Sequence, residues 1–285
     1  MGLSVLRGFP KPLPPGRPGD PGLFGPDSVA WRVNGEGVLL LGGPGALLMQ
    51  IAHPSVAAGV ADHSDFPAEP YERLWRTMDA MLRVSFGDSE QSRDAAEQVT
   101  GVHRRVAGRR RDGERYRALD PDLLLWVHAT LVDSALVVYR RFFRPLSLDR
   151  EERYYAEMKR LATAMHVPPE CLLEGLGEFR NYVAQTVDRL EVREDARRLA
   201  PPILRPPLPL PLRPVGALQE LVTVGILPPR LRAAYGLAWT PARERVLAAS
   251  AGAVRTVAPL LPAALRRWPQ ARAALRRANT PATKV

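Results

Sequence analysis

The chain has 285 residues, 46% of them hydrophobic and 25% charged, with a formal net charge of +10. This composition is ordinary for a globular protein and excludes disorder of the whole chain. The single cysteine, Cys171, excludes an internal disulfide, and no Cys-x-x-Cys pair is present for zinc or thiol redox chemistry. We therefore expect a soluble protein of a reducing compartment, the cytoplasm.

The most apolar stretch, residues 38–60, is interrupted by the glycine-rich segment 42–45 and by His53 and the proline after it. Its uninterrupted parts are shorter than the roughly 20 residues that a membrane span requires. Residues 1–24 lack the apolar run of a signal peptide. We expect residues 38–60 to be buried core.

Composition divides the chain into three regions. Residues 1–25 are rich in proline and glycine and predict an unstructured arm. Residues 26–260 predict one helical domain, and residues 261–285 predict a basic C-terminal tail that frays. Within the domain, an Asn-Gly pair between apolar residues predicts a short N-terminal hairpin over 29–41.

The rest of the domain carries helix signals. A series of apolar segments has helical period. These segments begin at prolines or at aspartate and serine caps, and some of them end at a glycine. A proline-rich stretch, residues 196–214, predicts an extended connector. Since no strand–helix–strand alternation is present, the predicted fold class is all-α. The predicted helices are 46–60, 71–86, 88–110, 121–144, 147–166, 168–190, 215–225, 229–236 and 241–257.

The glycine turn before the first long helix has the setting of a dinucleotide-binding loop. Leu48 stands where that fingerprint requires a third glycine, and no Gly-Lys-Ser/Thr sequence is present. The sequence therefore disfavours a nucleotide site. The basic runs 109–111 and 266–284 lie in no recognisable nucleic-acid module. They predict solvated faces or weak contact with an anionic membrane surface, and no specific nucleic-acid partner.

Two of the five histidines are predicted to point into the core. His128 shares its helical face with Leu124, Leu131 and Ala135, and His103 shares its face with valines at 99, 102 and 106. A buried imidazole needs a partner. For His128 the candidates are Thr130, Asp133, a propionate or a metal. Two inward histidines are consistent with a cofactor slot or with two satisfied core residues.

The helix predicted over 71–86 carries Arg73, Arg76 and Thr77 on one face. Such a face is normally solvated. The opposite face is also apolar, so periodicity leaves the orientation open. If the arginines point inward they require anions, and haem propionates would serve through charge-assisted hydrogen bonds.

Four blocks of sequence, residues 25–66, 73–88, 102–108 and 116–134, carry a family resemblance. They resemble bacterial proteins catalogued as DUF2236, which are related to latex-clearing protein (rubber oxygenase) and to the fungal MpaB-type oxygenase of mycophenolic acid biosynthesis. The resemblance extends over roughly residues 25–260. It implies a single globin-like helical domain that binds haem b.

The resemblance also implies roles for individual residues. His103 matches the proximal haem ligand, with His128 as a supporting group or an alternative ligand and His53 on the access side of the pocket. Arg73, Arg76 and Thr77 match an Arg-x-x-Lys-Thr helix that lines the haem. Arg76 replaces the lysine of that motif, which excludes a distal lysine ligand. No residue cleanly matches the acidic base of the relatives.

Three functions follow as hypotheses. The first is a haem b-dependent oxygenase that uses O₂ to oxidise or cleave a C=C bond in a hydrophobic, isoprenoid or lipid-like substrate. The second is a haem-binding or lipid-binding protein without turnover. The third is a basic protein that binds an anionic surface through the tail 266–284, as a peripheral membrane protein would.

Overall fold

The computed structural model describes residues 12–64 and 70–281, with side chains described at 12–64 and 75–281. These residues form fourteen α-helices and one antiparallel pair of short strands, which confirms the all-α prediction. The helices are α1 (Val29–Asn34), α2 (Gly43–Ala52), α3 (Pro54–His63), α4 (Pro70–Phe86), α5 (Ser89–His103), α6 (Pro121–Phe142), α7 (Leu148–Ala164), α8 (Leu176–Arg189), α9 (Glu194–Leu204), α10 (Arg213–Ile226), α11 (Pro229–Ala234), α12 (Pro241–Val257), α13 (Ala263–Arg266) and α14 (Pro269–Asn279). The strands are β1 (Ala107–Arg109) and β2 (Arg115–Arg117).

Helix α6 is the centre of the fold. Pro121 begins it in the first turn, where the missing N–H costs no hydrogen bond, and thirteen of its residues are buried. Helices α2, α7, α8 and α12 pack around it. By length and hydropathy α6 could cross a membrane, as could the bent pair Gly37–Ala52 and Pro54–His63, whose halves meet at 107°. Core helices of soluble proteins share these properties, and 61% of the apolar window of α6 is buried.

The predicted N-terminal hairpin over 29–41 is wrong. Ser28 caps α1 by accepting a hydrogen bond from the Trp31 amide, and a 3-10 helix follows α1. The side chain of Asn34 accepts a hydrogen bond from Tyr154 Oη at 3.0 Å. The Asn-Gly pair therefore ends a helix, because a capping residue and tertiary contacts outweigh the local turn signal.

The strands lie after a helix that is shorter than predicted. Helix α5 ends at His103 rather than near residue 110, and β1 pairs with β2 in antiparallel register. Gly113, with a φ of 86°, lies in the turn between them. Arg110 in this turn forms ion pairs with Asp112 and Glu114, so part of the basic run 109–111 is neutralised within the hairpin.

Two proline-rich segments also differ from the prediction. Pro168 and Pro169 begin a short 3-10 turn, and α8 starts only at Leu176. The first part of the connector 196–214 belongs to α9, which contains two prolines near its C-terminal end. The burial of its apolar face, including Ile203, offsets the backbone hydrogen bonds that these prolines cannot form.

The glycines around α2 permit close packing. A Cβ on Gly42 would lie 3.1 Å from Val138 Cγ2, and a Cβ on Gly45 would lie 2.7 Å from Ile226 Cδ1. These contacts place α2 directly against α6 and α10. Close approach of backbone to neighbouring helices therefore accounts for Gly42 and Gly45 without a nucleotide.

Both ends of the described chain pack on the domain. Phe24 is fully buried, and the Gly19 amide donates a hydrogen bond to the Arg277 carbonyl at 2.9 Å. The Arg277 side chain is buried between residue 20 and the end of α4. Residues 12–25 and α14 are thus folded against the core, where the sequence predicted an unstructured arm and a frayed tail.

Glu36 anchors the segment that leads into α14. Its side chain is 2% exposed, with Arg266 Nε 2.9 Å from its Oε2 and Arg267 Nε 3.2 Å from its Oε1. The Trp268 amide donates to the Gly35 carbonyl beside this pair at 3.0 Å. Burial raises the pKa of Glu36, and the two guanidinium groups oppose that shift. The buried carboxylate therefore depends on these arginines for neutralisation.

Candidate functional site

His128 is the most deeply buried histidine of the described chain, at 5% exposure. Neither of its ring nitrogens has a hydrogen-bond partner among the described residues. Thr130 Oγ1 donates instead to the Val127 carbonyl at 2.7 Å. Asp133, five residues further on, leaves α6 roughly 140° around the helix from His128. Neither protein partner predicted for His128 hydrogen-bonds it: the Thr130 hydroxyl is engaged with a backbone carbonyl, and Asp133 points away.

The ionisation of His128 follows from this burial. Desolvation lowers its pKa to about 4, so the imidazole is neutral at pH 7. An unsatisfied buried polar group costs roughly 1–3 kcal/mol, and in native proteins such a group often marks a functional position. His128 therefore offers a neutral nitrogen with an available lone pair.

One face of α6 around His128 is apolar and partly accessible. Leu131 and Ala135 follow His128 at i+3 and i+7, so they share its side of the helix. Both are half-buried, although α6 is the central helix. We name His128, Leu131 and Ala135 together the His128 face. Other side chains do not fully seal this face, and an apolar group can contact it.

His103 is the last residue of α5 and is half-buried. Helices α4 and α5 are antiparallel neighbours joined by a two-residue turn, so the beginning of α4 lies beside the end of α5. Arg73, Arg76 and Thr77 belong to that part of α4. The structure thus places the predicted site residues of α4 and His103 of α5 at the same end of this helix pair. The side chain of Arg73 lies outside the described ones.

The burial pattern resolves the orientation of α4 and corrects that of α5. Trp75 is 6% exposed, whereas Arg76 and Thr77 are exposed, so the side of α4 that carries these two residues is accessible. Arg76 forms no ion pair with a described residue and is able to bind an anion. Val102, predicted to share a buried face with His103, is 52% exposed. The end of α5 is therefore more accessible than its apolar periodicity predicted.

Contacts connect the ends of α5 and α7 with α6. Thr100, one turn before His103, hydrogen-bonds His166 Nδ1 at 3.0 Å. The next residue, Val167, belongs to a buried cluster with Leu124, which lies one turn before His128. A series of contacts through His166 and Val167 therefore connects the end of α5 with the turn of α6 that precedes His128.

His53 lies at a break between α2 and α3, which the sequence predicted as one helix over 46–60. Its Nδ1 accepts a hydrogen bond from the Ser55 amide at 3.2 Å. Burial lowers the pKa of His53, and the nearby Arg110 lowers it further. The ring is therefore neutral at pH 7, with its hydrogen on Nε2.

The cavity beside His53 has a volume of about 560 Å³. Its lining is mixed in charge and includes the edge-to-face pair Trp126 and Tyr182. Trp126 and His128 leave α6 roughly 160° apart, so this cavity and the His128 face lie on opposite sides of the helix. His53 is thus not brought together with His128. The lining residues are His53, Pro54, Asp122, Trp126, Tyr182, Thr186, Arg189, Leu190, Glu191 and Arg193.

The acidic and basic residues near the end of α3 have structural partners. Asp62 Oδ2 accepts a hydrogen bond from Tyr116 Oη at 2.5 Å, and the His63 ring contacts the Ala107 carbonyl at 3.1 Å. Both contacts join α3 to the strand pair. Asp65, the other acid that the sequence places here, lies outside the described residues.

The chain matches the family model described as "ER-bound oxygenase mpaB/B'/Rubber oxygenase, catalytic domain" over residues 31–256. It belongs to this family. The resemblance seen in the sequence blocks is thereby confirmed, and the family supports an oxygenase with a small-molecule substrate and O₂. The matched range runs from α1 to the end of α12, so it contains both histidines and the arginine face of α4. Helices α13 and α14 lie beyond it.

Two similar relatives of this oxygenase-family chain are uncharacterised proteins of Mycobacterium bovis and Mycobacterium tuberculosis. Each is 31% identical over 209 residues, which covers 70% of this chain and 80% of the relative. No solved structure matches the chain significantly. The likeness to globins stays a prediction.

Asp133, predicted as a candidate partner of His128, lies elsewhere on α6: burial raises its pKa to about 6, against the opposing charges of Arg140 and Arg180. Sequence reasoning missed two polar residues of the cavity in this oxygenase-family domain, Asp122 and Arg189. They come from separate helices, and no motif or spacing in the sequence links them. Among the residues that the structure describes, no three His, Cys, Asp or Glu side chains form a group able to hold a metal ion.

Proposed function

We propose that this chain is a haem b-dependent oxygenase that oxidises or cleaves a C=C bond in a hydrophobic, isoprenoid or lipid-like substrate. The observation that carries the proposal is the buried, neutral His128, whose two ring nitrogens lack partners on a partly accessible apolar face. Membership of an oxygenase family supports the reaction class. The proposed location is the cytoplasm, with peripheral membrane contact.

The described residues fit a haem by their chemistry. A haem would bring most of the ligands of its own iron, so one neutral imidazole from the protein would be enough to hold it. His103, by its match to the family, is the proposed ligand, and His128 is the supporting group or the alternative ligand. Arg76 has the accessible guanidinium that a propionate would pair with, and Arg73 shares that end of α4.

When bound, the haem would supply O₂ activation. The chain itself would orient the reactants: Leu131 and Ala135 offer apolar contact to a hydrophobic substrate, and Thr77 offers a hydroxyl donor at the accessible end of α4. His128 stays unprotonated at pH 7 because its pKa is about 4. It can therefore accept a hydrogen bond or bind a metal without first losing a proton.

Reconstitution with haemin tests the proposal. We expect the wild type to show a Soret band and His103→Ala to lose or shift it, with haem retention reduced roughly tenfold or more. His128→Ala should weaken retention by roughly 10–100-fold if His128 supports the cofactor. The measurement is the visible spectrum after gel filtration, compared at equal protein concentration.

His63→Ala is the matched control, because His63 is exposed and bonds only a backbone carbonyl of β1. It should retain haem like the wild type. Loss of the band only in His128→Ala would reassign the ligand to His128. A wild type that stays colourless after reconstitution, while circular dichroism shows a folded protein, would reject the haem proposal.

A second function is favoured by one observation. Among the described acids, Asp62 is engaged by Tyr116 and Asp133 is turned away from His128, so neither offers a base on the His128 face. That arrangement suits a haem-binding or lipid-binding protein without turnover. Oxygen uptake by haem-loaded protein with squalene, an unsaturated isoprenoid, separates the two functions, because only the oxygenase consumes O₂ in proportion to substrate.

A further inference from the structure

The exposed apolar side chains of the described chain are concentrated in two segments. Eight of the eleven large hydrophobic residues that are exposed lie in the two segments 210–218 and 257–265. Leu210, Leu260 and Leu265 are 71%, 79% and 75% exposed. Large contiguous apolar surfaces are rare on soluble monomers and mark interaction sites. We name these eight residues the apolar patch: Leu210, Leu212, Val215, Leu218, Val257, Leu260, Leu261 and Leu265.

The packing of α10 against α12 brings the two segments together. Gly225, near the end of α10, contacts Leu247 in the first half of α12. Leu221, one turn earlier, and Val254, two turns later, pack against the same buried cluster. The two helices therefore pack on one hydrophobic cluster. Both segments also border the 3-10 helix Gly37–Gly42, since α10 packs against this helix and Arg266 pairs with Glu36 at its start.

The charge around the apolar patch is positive. Arg213 and Arg255 are exposed and form no ion pair with a described residue. Residues 206–219 and 252–267 contain no Asp or Glu. Glu220, directly after the first segment, is paired with Arg205 and Arg243, and Glu36, in contact with the second, is buried and paired with Arg266 and Arg267. Exposed leucines bordered by unpaired arginines are the pattern of surfaces that lie at the interface of an anionic bilayer.

We infer that the apolar patch docks this chain on the surface of an anionic lipid bilayer. The leucines and valines insert among the acyl chains and headgroups, while Arg213 and Arg255 contact lipid phosphates. A second copy of the chain fits less well, because a two-fold interface would bring these unpaired arginines and the net charge of +10 together. The surface differs from the one predicted from sequence: in the tail 266–284, α14 is packed on the core through Ala271 and Ala274.

Vesicle flotation tests the inference on the full chain. The probes are vesicles of phosphatidylcholine alone and vesicles with about 30 mol % phosphatidylglycerol. We expect the wild type to float with the anionic vesicles and to partition at least roughly tenfold less onto the neutral ones. The double variant Leu260→Asp/Leu265→Asp should lose at least roughly tenfold of the anionic binding, since two apolar anchors become charged.

The matched control is Leu148→Asp/Val246→Asp, which places the same charges on exposed apolar residues outside the patch. It should float like the wild type. Equal losses in both double variants would show that added negative charge alone is responsible and would overturn the proposal. A wild type that does not float, or a dimer that only the patch variant converts to monomer in light scattering, would also overturn it. The last outcome would assign the patch to self-association.

Discussion

A His128→Leu variant prepared without haem should be more stable than the wild type at pH 7. We expect its free energy of unfolding to rise by roughly 1–3 kcal/mol, which is the usual cost of leaving buried polar groups unsatisfied. Leucine fills a similar space and has no nitrogen to desolvate. The surroundings of the ring are already apolar, with Leu124 and Leu131 on the same side of α6. The measurement is urea unfolding followed by circular dichroism.

The same substitution should remove a pH dependence. Burial lowers the pKa of His128 to about 4 in the folded protein, whereas an unfolded histidine titrates near 6.5. As pH falls below about 6.5, the unfolded chain takes up a proton that the folded chain refuses, so the wild type loses stability. The contribution is fully present above that pH and is lost toward pH 4, by at most roughly 3 kcal/mol. The gap between His128→Leu and wild type should widen over this range.

The exposed His63 provides the comparison. His63→Leu should change the free energy of unfolding by no more than about 0.5 kcal/mol, as substitutions on the surface usually do. If His128→Leu destabilises the protein at pH 7, the ring has a partner and the proposed role of its nitrogens is wrong. Superimposable pH profiles for wild type and His128→Leu would show that His128 is not buried in its neutral form.

Stability gained by removing a polar residue is a sign of a functional position. Proteins keep destabilising groups where activity requires them, so a stabilised variant that also fails to retain haem would separate the two roles of His128. Replacing a histidine that has only a structural role would instead make the protein less stable. This combination of outcomes tests the site through stability as well as through the spectrum.

Helix existence was predictable where a local signal agreed with burial. Pro121 and the apolar period after it predicted α6, and Pro241 lies at the start of α12 as expected. The prediction failed over 29–41 because the Asn-Gly pair is easier to recognise in the sequence than the cap at Ser28, although it is the cap that determines the local structure. It also failed over 196–214, where proline content concealed a helix stabilised by the burial of its apolar face. In both cases tertiary contacts outweighed a local preference.

The candidate site was predictable in part. Periodicity placed His128 in the core correctly, because its apolar neighbours recur at helical spacing. The same reasoning predicted that Val102 is buried, although this residue lies at an accessible helix end. Periodicity gives the direction of a side chain and not whether another element covers it. The position of His53 on the opposite side of α6 from His128 could not be predicted, because the sequence did not reveal the break between α2 and α3. The lining of the cavity could not be predicted either, because it depends on how α6 packs against α8.

Removing both arginines that face Glu36 should cost more stability than any other change we predict. The double variant Arg266→Ala/Arg267→Ala leaves a carboxylate of 2% exposure without its cations, and breaking a buried pair in this way costs roughly 3–5 kcal/mol. The control is Arg276→Ala, an exposed arginine of α14, which should change stability by less than about 0.5 kcal/mol. Urea unfolding at pH 7 measures both.

A triple variant distinguishes loss of charge pairing from loss of packing. Glu36→Gln added to Arg266→Ala/Arg267→Ala removes the uncompensated charge, so it should restore more than half of the lost stability. If the triple variant is no more stable than the double variant, the arginines act through their contacts with Phe143 and neighbouring residues instead. Because the family match ends at residue 256, such a rescue would mean that the buried charge of Glu36, just after α1, helps to fix α13 and α14 to the oxygenase domain, together with the packing of α14.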